Sequence, residues 1–344
     1  MNKAVTGGLL LSLGLAAAAA ETPATSISNG VARAKLYLPD INIGYYRGTR
    51  FDWSGSVASL ETNGHTYFGQ WFPRYDPKLH DSITGPVEDY APLNYTESKP
   101  GETFVKIGIG VLKRPDEAQY KFSNSYELLN TAKWSVRKGP DFVEYRQEVA
   151  DPKTGYAYIY AKTVRLTPGK PQMTIEHTLK NTGTKAIETN VYNHGFFMLD
   201  SQPTGPDFTV TFPFDIKATR DMNGLAEARG KQIVYLKTLQ ENVNASGAAG
   251  AAPGRGGRQA ASTLIEGFST DPKDFDIRVE NHKTRAGVRI TGDHPLCRIN
   301  FWSVRTTVCP EAYVEVKADP GKETSWRLTY DFYSLPADGT AGGL

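Results

Sequence analysis

The chain has 344 residues, of which 39 are basic and 37 acidic, and its formal net charge is +2. Acidic and basic residues are mixed along the chain, so its overall charge does not indicate a basic surface for binding nucleic acid. We therefore expect no nucleic-acid partner. After the N-terminus no stretch is apolar enough to cross a bilayer.

Residues 1–20 have the pattern of a secretory signal peptide. Lys3 precedes the apolar run VTGGLLLSLGLAAAAA, and small residues close the segment at Ala18–Ala20. A membrane anchor is the alternative, but about 17 apolar residues rich in Gly and Ala are marginal for spanning a bilayer. We therefore predict cleavage before Glu21, a periplasmic or secreted protein with no membrane attachment, and a short lead-in segment over residues 21–39.

The stretch from Gly44 to Tyr90 is dense in aromatic and polar side chains. Proteins bind sugars with aromatic faces against C–H surfaces and with Arg, Asp, Glu and Asn against hydroxyls, so this mixture suits a carbohydrate pocket. The alternative is that the tryptophans pack a sheet edge and the charges are solvated. The candidates for pocket residues are Arg47, Arg50, Asp52, Trp53, His65, Trp71, His80, Glu88 and Asp89.

Strand signals dominate the rest of the chain. Apolar and polar residues alternate in YAYIYAKTVRL at 156–166, MTIEHTLK at 173–180 and WRLTYDFY at 326–333, and Pro-Gly and Asn-Thr-Gly turns separate such runs. The best short helix candidate is YELLNTAKW at 126–134. The pattern predicts an all-β fold of packed antiparallel sheets over residues 40–337, followed by a flexible tail at 338–344.

One segment departs from the strand pattern. Residues 245–262, ASGAAGAAPGRGGRQAAS, are too poor in large apolar side chains to bury a core. Their composition predicts a mobile loop within the domain, either a plain insertion or a lid over a binding site.

Two runs in the second half of the chain carry the strongest chemical signal. ETNVYNHGFFMLD, residues 188–200, places Asn193 and His194 within an apolar and aromatic strand, and CPEAY, residues 309–313, places Glu311 at the end of another. An imidazole and a carboxylate are the minimum for moving one proton onto a sugar ring and another off it. His194 packed in a core is the alternative, and Glu315, on the same strand face as Glu311, is the alternative base.

These runs resemble the galactose mutarotase (aldose 1-epimerase) family, in which a strand ending in Asn-His-x-(Tyr/Phe)-Phe carries the catalytic histidine. Cys309-Pro310-Glu311 resembles the family's Cys-x-Glu, and DPGKETSWRLTYDF, residues 319–332, resembles its closing turn and final strand. The segment from Arg47 to Gly55 is loosely similar to the Arg-Gly-Gly-x-Pro segment of the hexose-6-phosphate branch.

The resemblance implies a galactose mutarotase-like β-supersandwich and an acid–base reaction that interconverts sugar anomers. Glu311 would take the proton of the anomeric hydroxyl and His194 would give one to the ring oxygen. The substrate, a monosaccharide or the end of a glycan, would be bound by Arg47, Arg50, Asp52, Trp53, His80, Glu88 and Asn193.

The chain departs from the family at one position. Mutarotases usually hold a second histidine in a His-Gly context, whereas this chain reads TGPVEDY at residues 84–90. His80 lies just before this run and Glu88 within it, and we expect one of the two to occupy the space of the second histidine.

Two other functions remain open. In a uronate polysaccharide lyase, Tyr192, Asn193 and His194 could take the catalytic roles, and Arg47 or Arg50 could neutralise the uronate carboxylate. Export suits polymer degradation as well as it suits mutarotation. A non-catalytic carbohydrate-binding protein on the same fold is the third hypothesis.

The sequence predicts neither a cofactor nor a metal ion. It contains no His-Glu-x-x-His, Cys-x-x-Cys or Gly-x-Ser-x-Gly pattern and no phosphate-binding glycine loop, although a calcium site of loop carboxylates leaves little sequence trace. The oligomeric state is left open.

The two cysteines, Cys297 and Cys309, flank an apparent hairpin, CRINFWSVRTTVC. If the turn centres on Ser303 and Val304, the two side chains face each other across antiparallel strands, and an oxidising compartment could join them. Two buried thiols packed as small apolar groups are the alternative.

Overall fold

The computed structural model describes residues 21–131, 133–241 and 259–336. These residues form 23 β-strands and no α-helix, so the prediction of an all-β chain is confirmed. In chain order the strands are β1 (Ala24–Ser28), β2 (Ala32–Tyr37), β3 (Val57–Thr62), β4 (His65–Thr66), β5 (Val87–Tyr90), β6 (Thr103–Lys106), β7 (Gly110–Lys113), β8 (Glu127–Thr131), β9 (Lys133–Lys138), β10 (Phe142–Asp151), β11 (Tyr156–Leu166), β12 (Gln172–Asn181), β13 (Ile187–His194), β14 (Phe208–Thr211), β15 (Lys217–Ala218), β16 (Ala226–Arg229), β17 (Gln232–Tyr235), β18 (Ala261–Glu266), β19 (Asp276–Asn281), β20 (Ala286–Gly292), β21 (Leu296–Val304), β22 (Thr307–Ala318) and β23 (Glu323–Ser334).

Two large antiparallel sheets form the body of the fold. One has ten strands in the order β16-β17-β14-β19-β20-β23-β12-β11-β10-β9, and the other has six in the order β15-β18-β21-β22-β13-β5. Two smaller antiparallel sheets, β1-β2-β3-β4 and β6-β7-β8, come from the N-terminal part of the chain. The six-stranded sheet carries the site described below.

The main core lies between the two large sheets. Along β11 every second side chain is buried, which is the period of a strand with one face against a core. From the six-stranded sheet, alternate residues such as Val191, Ile299 and Phe301 join the same cluster as Tyr160 of β11.

A cluster of buried charges interrupts this core. Lys162 is 0% exposed and forms an ion pair with Glu88, which is 1% exposed. His177 Nε2 lies 3.0 Å from Glu88 Oε1, and Asn193 Nδ2 donates to the same oxygen over 2.9 Å. Burial alone raises the pKa of Glu88, but Lys162 and His177 outweigh it and hold that pKa well below its ordinary value. Glu88 is therefore an ionised carboxylate inside the core.

Two sequence expectations differ from the structure. The helix candidate falls in strands instead: Glu127–Thr131 form β8 and residues 133–134 begin β9, because pairing with β7 and β10 satisfies the backbone of these short strands. The hairpin turn falls at Arg305 and Thr306 rather than at Ser303 and Val304.

This shift separates the two cysteines. Cys309 pairs with Trp302, while Cys297 lies at a bulge farther along β21. Both cysteines are free, Cys309 buried and Cys297 exposed.

Some predictions fall outside the described residues. These are the signal peptide at 1–20, the flexible tail at 338–344 and most of the low-complexity loop at 245–262, whose last residues, from Ala261, begin β18. Export and loop mobility therefore stay predictions. Within the described ranges, none of the helical segments has the length and apolar character needed to span a membrane.

Candidate active site

A cavity of about 450 Å³ lies against the face of the six-stranded sheet that turns away from the core. Strands β5, β13, β21 and β22 supply its floor, and segments around Arg50, Asp81 and Phe122 supply its wall. Its size falls in the range of small-molecule sites.

Strand alternation decides which side chains reach the cavity. On β13, Tyr192 and His194 face it, whereas Val191 packs in the core and Asn193 contacts the buried Glu88. On β22, Glu311 and Tyr313 line the cavity. Since successive strand residues point to opposite faces, each strand presents one polar row to the cavity and one row to the core.

His194 and Glu311 meet at the centre of the cavity floor. β13 and β22 are antiparallel neighbours, and Tyr192 pairs with Tyr313. The next cavity-facing residues of the two strands, His194 and Glu311, therefore lie side by side. His194 Nε2 lies 3.3 Å from Glu311 Oε1. Asn300 Nδ2 donates to the other carboxylate oxygen over 2.8 Å, which fixes the orientation of the carboxyl group.

Aromatic rings enclose the imidazole of His194. Phe196 stacks on it with the ring centroids 3.7 Å apart, and Phe51 and Trp302 approach its edges. Burial, aided by the positive charge of Arg50, lowers the pKa of His194 well below its ordinary value. His194 is therefore a neutral imidazole at pH 7.

Glu311 has the opposite shift. Burial raises the pKa of Glu311 to about 7, although the hydrogen bond from Asn300 and the charge of Arg50 oppose this. A carboxyl group with this pKa is close to half protonated at neutral pH. When Glu311 is protonated, the pair holds one exchangeable proton, and the 3.3 Å between the two groups permits a hydrogen bond between them.

Arg50 holds the wall of the cavity together. Its Nε donates to Asp89 Oδ2 over 3.0 Å, one terminal nitrogen donates to the hydroxyl of Tyr192 over 2.8 Å, and the other pairs with Asp81. The guanidinium also lies between the rings of Phe51 and Phe122, 4.4 and 4.2 Å from their centroids. Each of the three guanidinium nitrogens of Arg50 thus donates at least one hydrogen bond to a protein group.

Of the residues predicted from the sequence, the structure brings His194, Glu311, Arg50 and Asp89 to the cavity. Glu88 and Asn193 lie one strand position away from cavity-facing residues and so point into the core instead. Asp52 is also buried there, bonded to Tyr160 and Ser54.

The other three predicted binding residues lie outside the cavity lining. Trp53 is buried with its ring nitrogen donating to the carbonyl of Gly48. Arg47 donates to the carbonyl of Asn42, and His80 lies behind the wall with its Nε2 3.1 Å from Asp81. Among the described lining residues, His194 is the sole imidazole, and neither His80 nor Glu88 lines the cavity.

Sequence reasoning passed over several lining residues. Arg298, Asn300 and Trp302 alternate on β21 within an otherwise apolar strand, and this parity could have identified them once β21 was paired with β22. Asp81 comes from a loop and carries no such signal. In the described parts of the chain, no group of three or more His, Cys, Asp or Glu side chains is arranged to hold a metal ion.

Comparisons with known proteins identify the fold. The sequence matches no protein-family model and no curated protein. Its structure, however, is similar to solved structures that share about one residue in eight with it.

Three of these structures illustrate the likeness. The Slr1438 protein of Synechocystis sp. PCC 6803 has 12% identity and a TM-score of 0.53 over 93% of this chain and 100% of its own. A galactose mutarotase-like protein from Lactobacillus casei has 12% identity and a TM-score of 0.52 over 90% and 100% of the two chains. A GalM/aldose epimerase homologue from C. elegans has 13% identity and a TM-score of 0.51 over 92% and 100%. The chain thus has the galactose mutarotase-like fold that its motifs predict.

Proposed function

We propose that this protein is a carbohydrate-active isomerase that interconverts the anomers of an aldose by acid–base catalysis. The observation that carries the proposal is the contact between His194 and Glu311 on the floor of a polar and aromatic cavity. The fold likeness to mutarotase-like proteins agrees with this function, but a fold alone does not assign one.

The reaction needs one proton acceptor and one proton donor on the same sugar. The acceptor takes the proton of the anomeric hydroxyl while the donor gives one to the ring oxygen, and the ring opens to an aldehyde and a free hydroxyl. After rotation about the C1–C2 bond, the hydroxyl attacks the other face of the aldehyde and the two protons return to their starting groups. A pair that holds one proton in total can perform both transfers.

Burial favours one assignment of the two roles. Burial shifts both groups toward their neutral forms, so the proton of the pair is placed on Glu311 and His194 is free to accept one. Glu311 would then protonate the ring oxygen and His194 would take the anomeric proton. This is the reverse of the roles that the family resemblance implies, and one proton transfer between the two groups interconverts the assignments.

The remaining lining groups suit a sugar ring. Asp81 and Asp89 form ion pairs with Arg50, and their side-chain oxygens can accept hydrogen bonds from sugar hydroxyls. Trp302 and Phe122 provide apolar ring faces for the C–H surfaces of a pyranose. In the lyase alternative Arg50 would neutralise a uronate, but its nitrogens are already bonded to Asp81, Asp89 and Tyr192.

Polarimetry tests the proposed function. We expect purified protein to accelerate the rotation change of at least one freshly dissolved sugar among glucose, galactose, rarer aldoses, uronates and sugar phosphates, relative to heat-inactivated protein. Failure to accelerate any sugar of the panel would contradict the proposal. A new ultraviolet-absorbing double bond in a uronate polymer would instead establish a lyase.

The pH dependence of the reaction follows from the shared proton. The pair loses its one proton as pH rises through the pKa of Glu311, which burial raises to about 7, whichever of the two groups acts as donor. We therefore expect kcat/KM to fall as pH rises above about 7, after subtraction of the spontaneous rate at each pH. A kcat/KM that continues to rise through pH 8 would contradict this account of the pair.

A further inference from the structure

Among the basic side chains of the cavity, Arg298 differs from the others in having no acidic partner. Arg50 is bonded to Asp81 and Asp89, and Lys106, beneath the wall, donates to Asp89 Oδ1 over 2.8 Å. Arg298 also lines the cavity, yet within the described residues it takes part in no salt bridge. Arg298 therefore has no carboxylate within salt-bridge distance among the described residues, although its positive charge opposes the rise in the pKa of Glu311.

Arg298 is held in a defined orientation by an aromatic ring. Its guanidinium lies 3.6 Å from the ring centroid of Tyr313, the residue that pairs with it across β21 and β22. A guanidinium that stacks through its flat face keeps the N–H groups at its edge free to bind a carboxylate or phosphate with two parallel hydrogen bonds. Because Arg298 is an exposed residue, a ligand can reach these groups from solvent.

The position of Arg298 relative to the proposed reaction centre is set by strand register. Asn300 pairs with Glu311, and Arg298 is the preceding cavity-facing residue on β21. Two residues along a strand span about 7 Å. A pyranose with its anomeric carbon at Glu311 and its long axis along β21 would place its opposite end, with any substituent there, near Arg298.

We propose that Arg298 binds an anionic group, a carboxylate or a phosphate ester, on the end of the sugar remote from its anomeric carbon. The substrate class would then be sugar acids or sugar phosphates rather than neutral aldoses. This proposal rests on the proposed function for the placement of the anomeric carbon, and on the unpaired charge of Arg298 for the preference.

Binding measurements separate this proposal from the proposed function. The probes are D-galacturonate against D-galactose and glucose 6-phosphate against glucose, titrated calorimetrically into the full chain at constant ionic strength. We expect at least one acid to bind about 10- to 100-fold more tightly than its neutral counterpart, the range expected for hydrogen bonds to a charged group. Tighter binding of galacturonate than of galactose would identify a carboxylate as the preferred group. Tighter binding of glucose 6-phosphate than of glucose would identify a phosphate.

Substitution of the arginine assigns the preference to it. In Arg298→Gln we expect the ratio of the two affinities to collapse toward 1, whereas Arg33→Gln, an exposed arginine on β2 in another sheet, should keep the ratio of the unmodified protein. Equal affinities for acid and neutral sugar in both arms, or a preference that survives in Arg298→Gln, would overturn the proposal.

The two failures can be told apart. A preference for the acid without any acceleration of mutarotation would support the role of Arg298 and contradict the proposed function. Acceleration of mutarotation without a preference for either acid would support the proposed function and overturn the role of Arg298.

Discussion

Glu311→Gln is expected to lower kcat/KM for anomer exchange by about 100- to 10,000-fold, the usual contribution of one well-placed proton-transfer group. Glutamine has nearly the shape of glutamate and retains an oxygen that can accept from Asn300, but it can neither give nor take the proton. The measurement is the polarimetric rate with whichever sugar the protein turns over, together with a thermal melt that verifies folding.

A matched control lies on the same strand. Glu315 is exposed on β22 and pairs with Lys317 over 3.1 Å, away from the cavity lining. Glu315→Gln should therefore keep the rate of the unmodified protein. Full activity in Glu311→Gln, or an equal loss in Glu315→Gln, would contradict the assignment of Glu311.

Lys162→Met is expected to lower the free energy of unfolding by about 3–5 kcal/mol. Lys162 and Glu88 are both fully buried and form an ion pair, and Lys162 also donates to the carbonyl of Ser54 over 2.7 Å. Removing the cation leaves the carboxylate of Glu88 in the core without its main compensating charge. Urea unfolding monitored by circular dichroism gives the change.

The control for this prediction is on the neighbouring strand β12. Lys180 is exposed there, so Lys180→Met should change the free energy of unfolding by less than about 0.5 kcal/mol. A loss below about 1 kcal/mol in Lys162→Met would show that the core tolerates the unpaired carboxylate, and the buried cluster would then have little part in stability.

The position of His194 and Glu311 at the cavity could be predicted from the sequence because the signal is local. His194 interrupts an apolar run, and Glu311 lies in a short motif that resembles a known one. Which face each residue occupies could not be predicted with equal reliability, since a shift of one residue moves a side chain to the other side of a sheet. For this reason Asn193 and Glu88, expected at the substrate, point into the core.

The buried cluster shows a second limit of sequence reasoning. Lys162 shares its strand face with Tyr158 and Tyr160, so alternation alone places it toward the core. Its partner Glu88, however, is 74 residues away along the chain. Long-range pairing of this kind leaves no periodic pattern, and the arrangement of Arg50 with Asp81 and Asp89 was unpredictable for the same reason.

Magnetisation exchange between the α and β anomeric protons of a sugar at equilibrium is the most direct test of the central claim, that His194 and Glu311 interconvert anomers. The experiment observes the interconversion itself, free of any coupling enzyme or net conversion. We predict exchange that increases in proportion to protein concentration and vanishes in Glu311→Gln. Exchange at the spontaneous rate for every aldose, uronate and sugar phosphate tried, or equal exchange in Glu311→Gln, would contradict the claim.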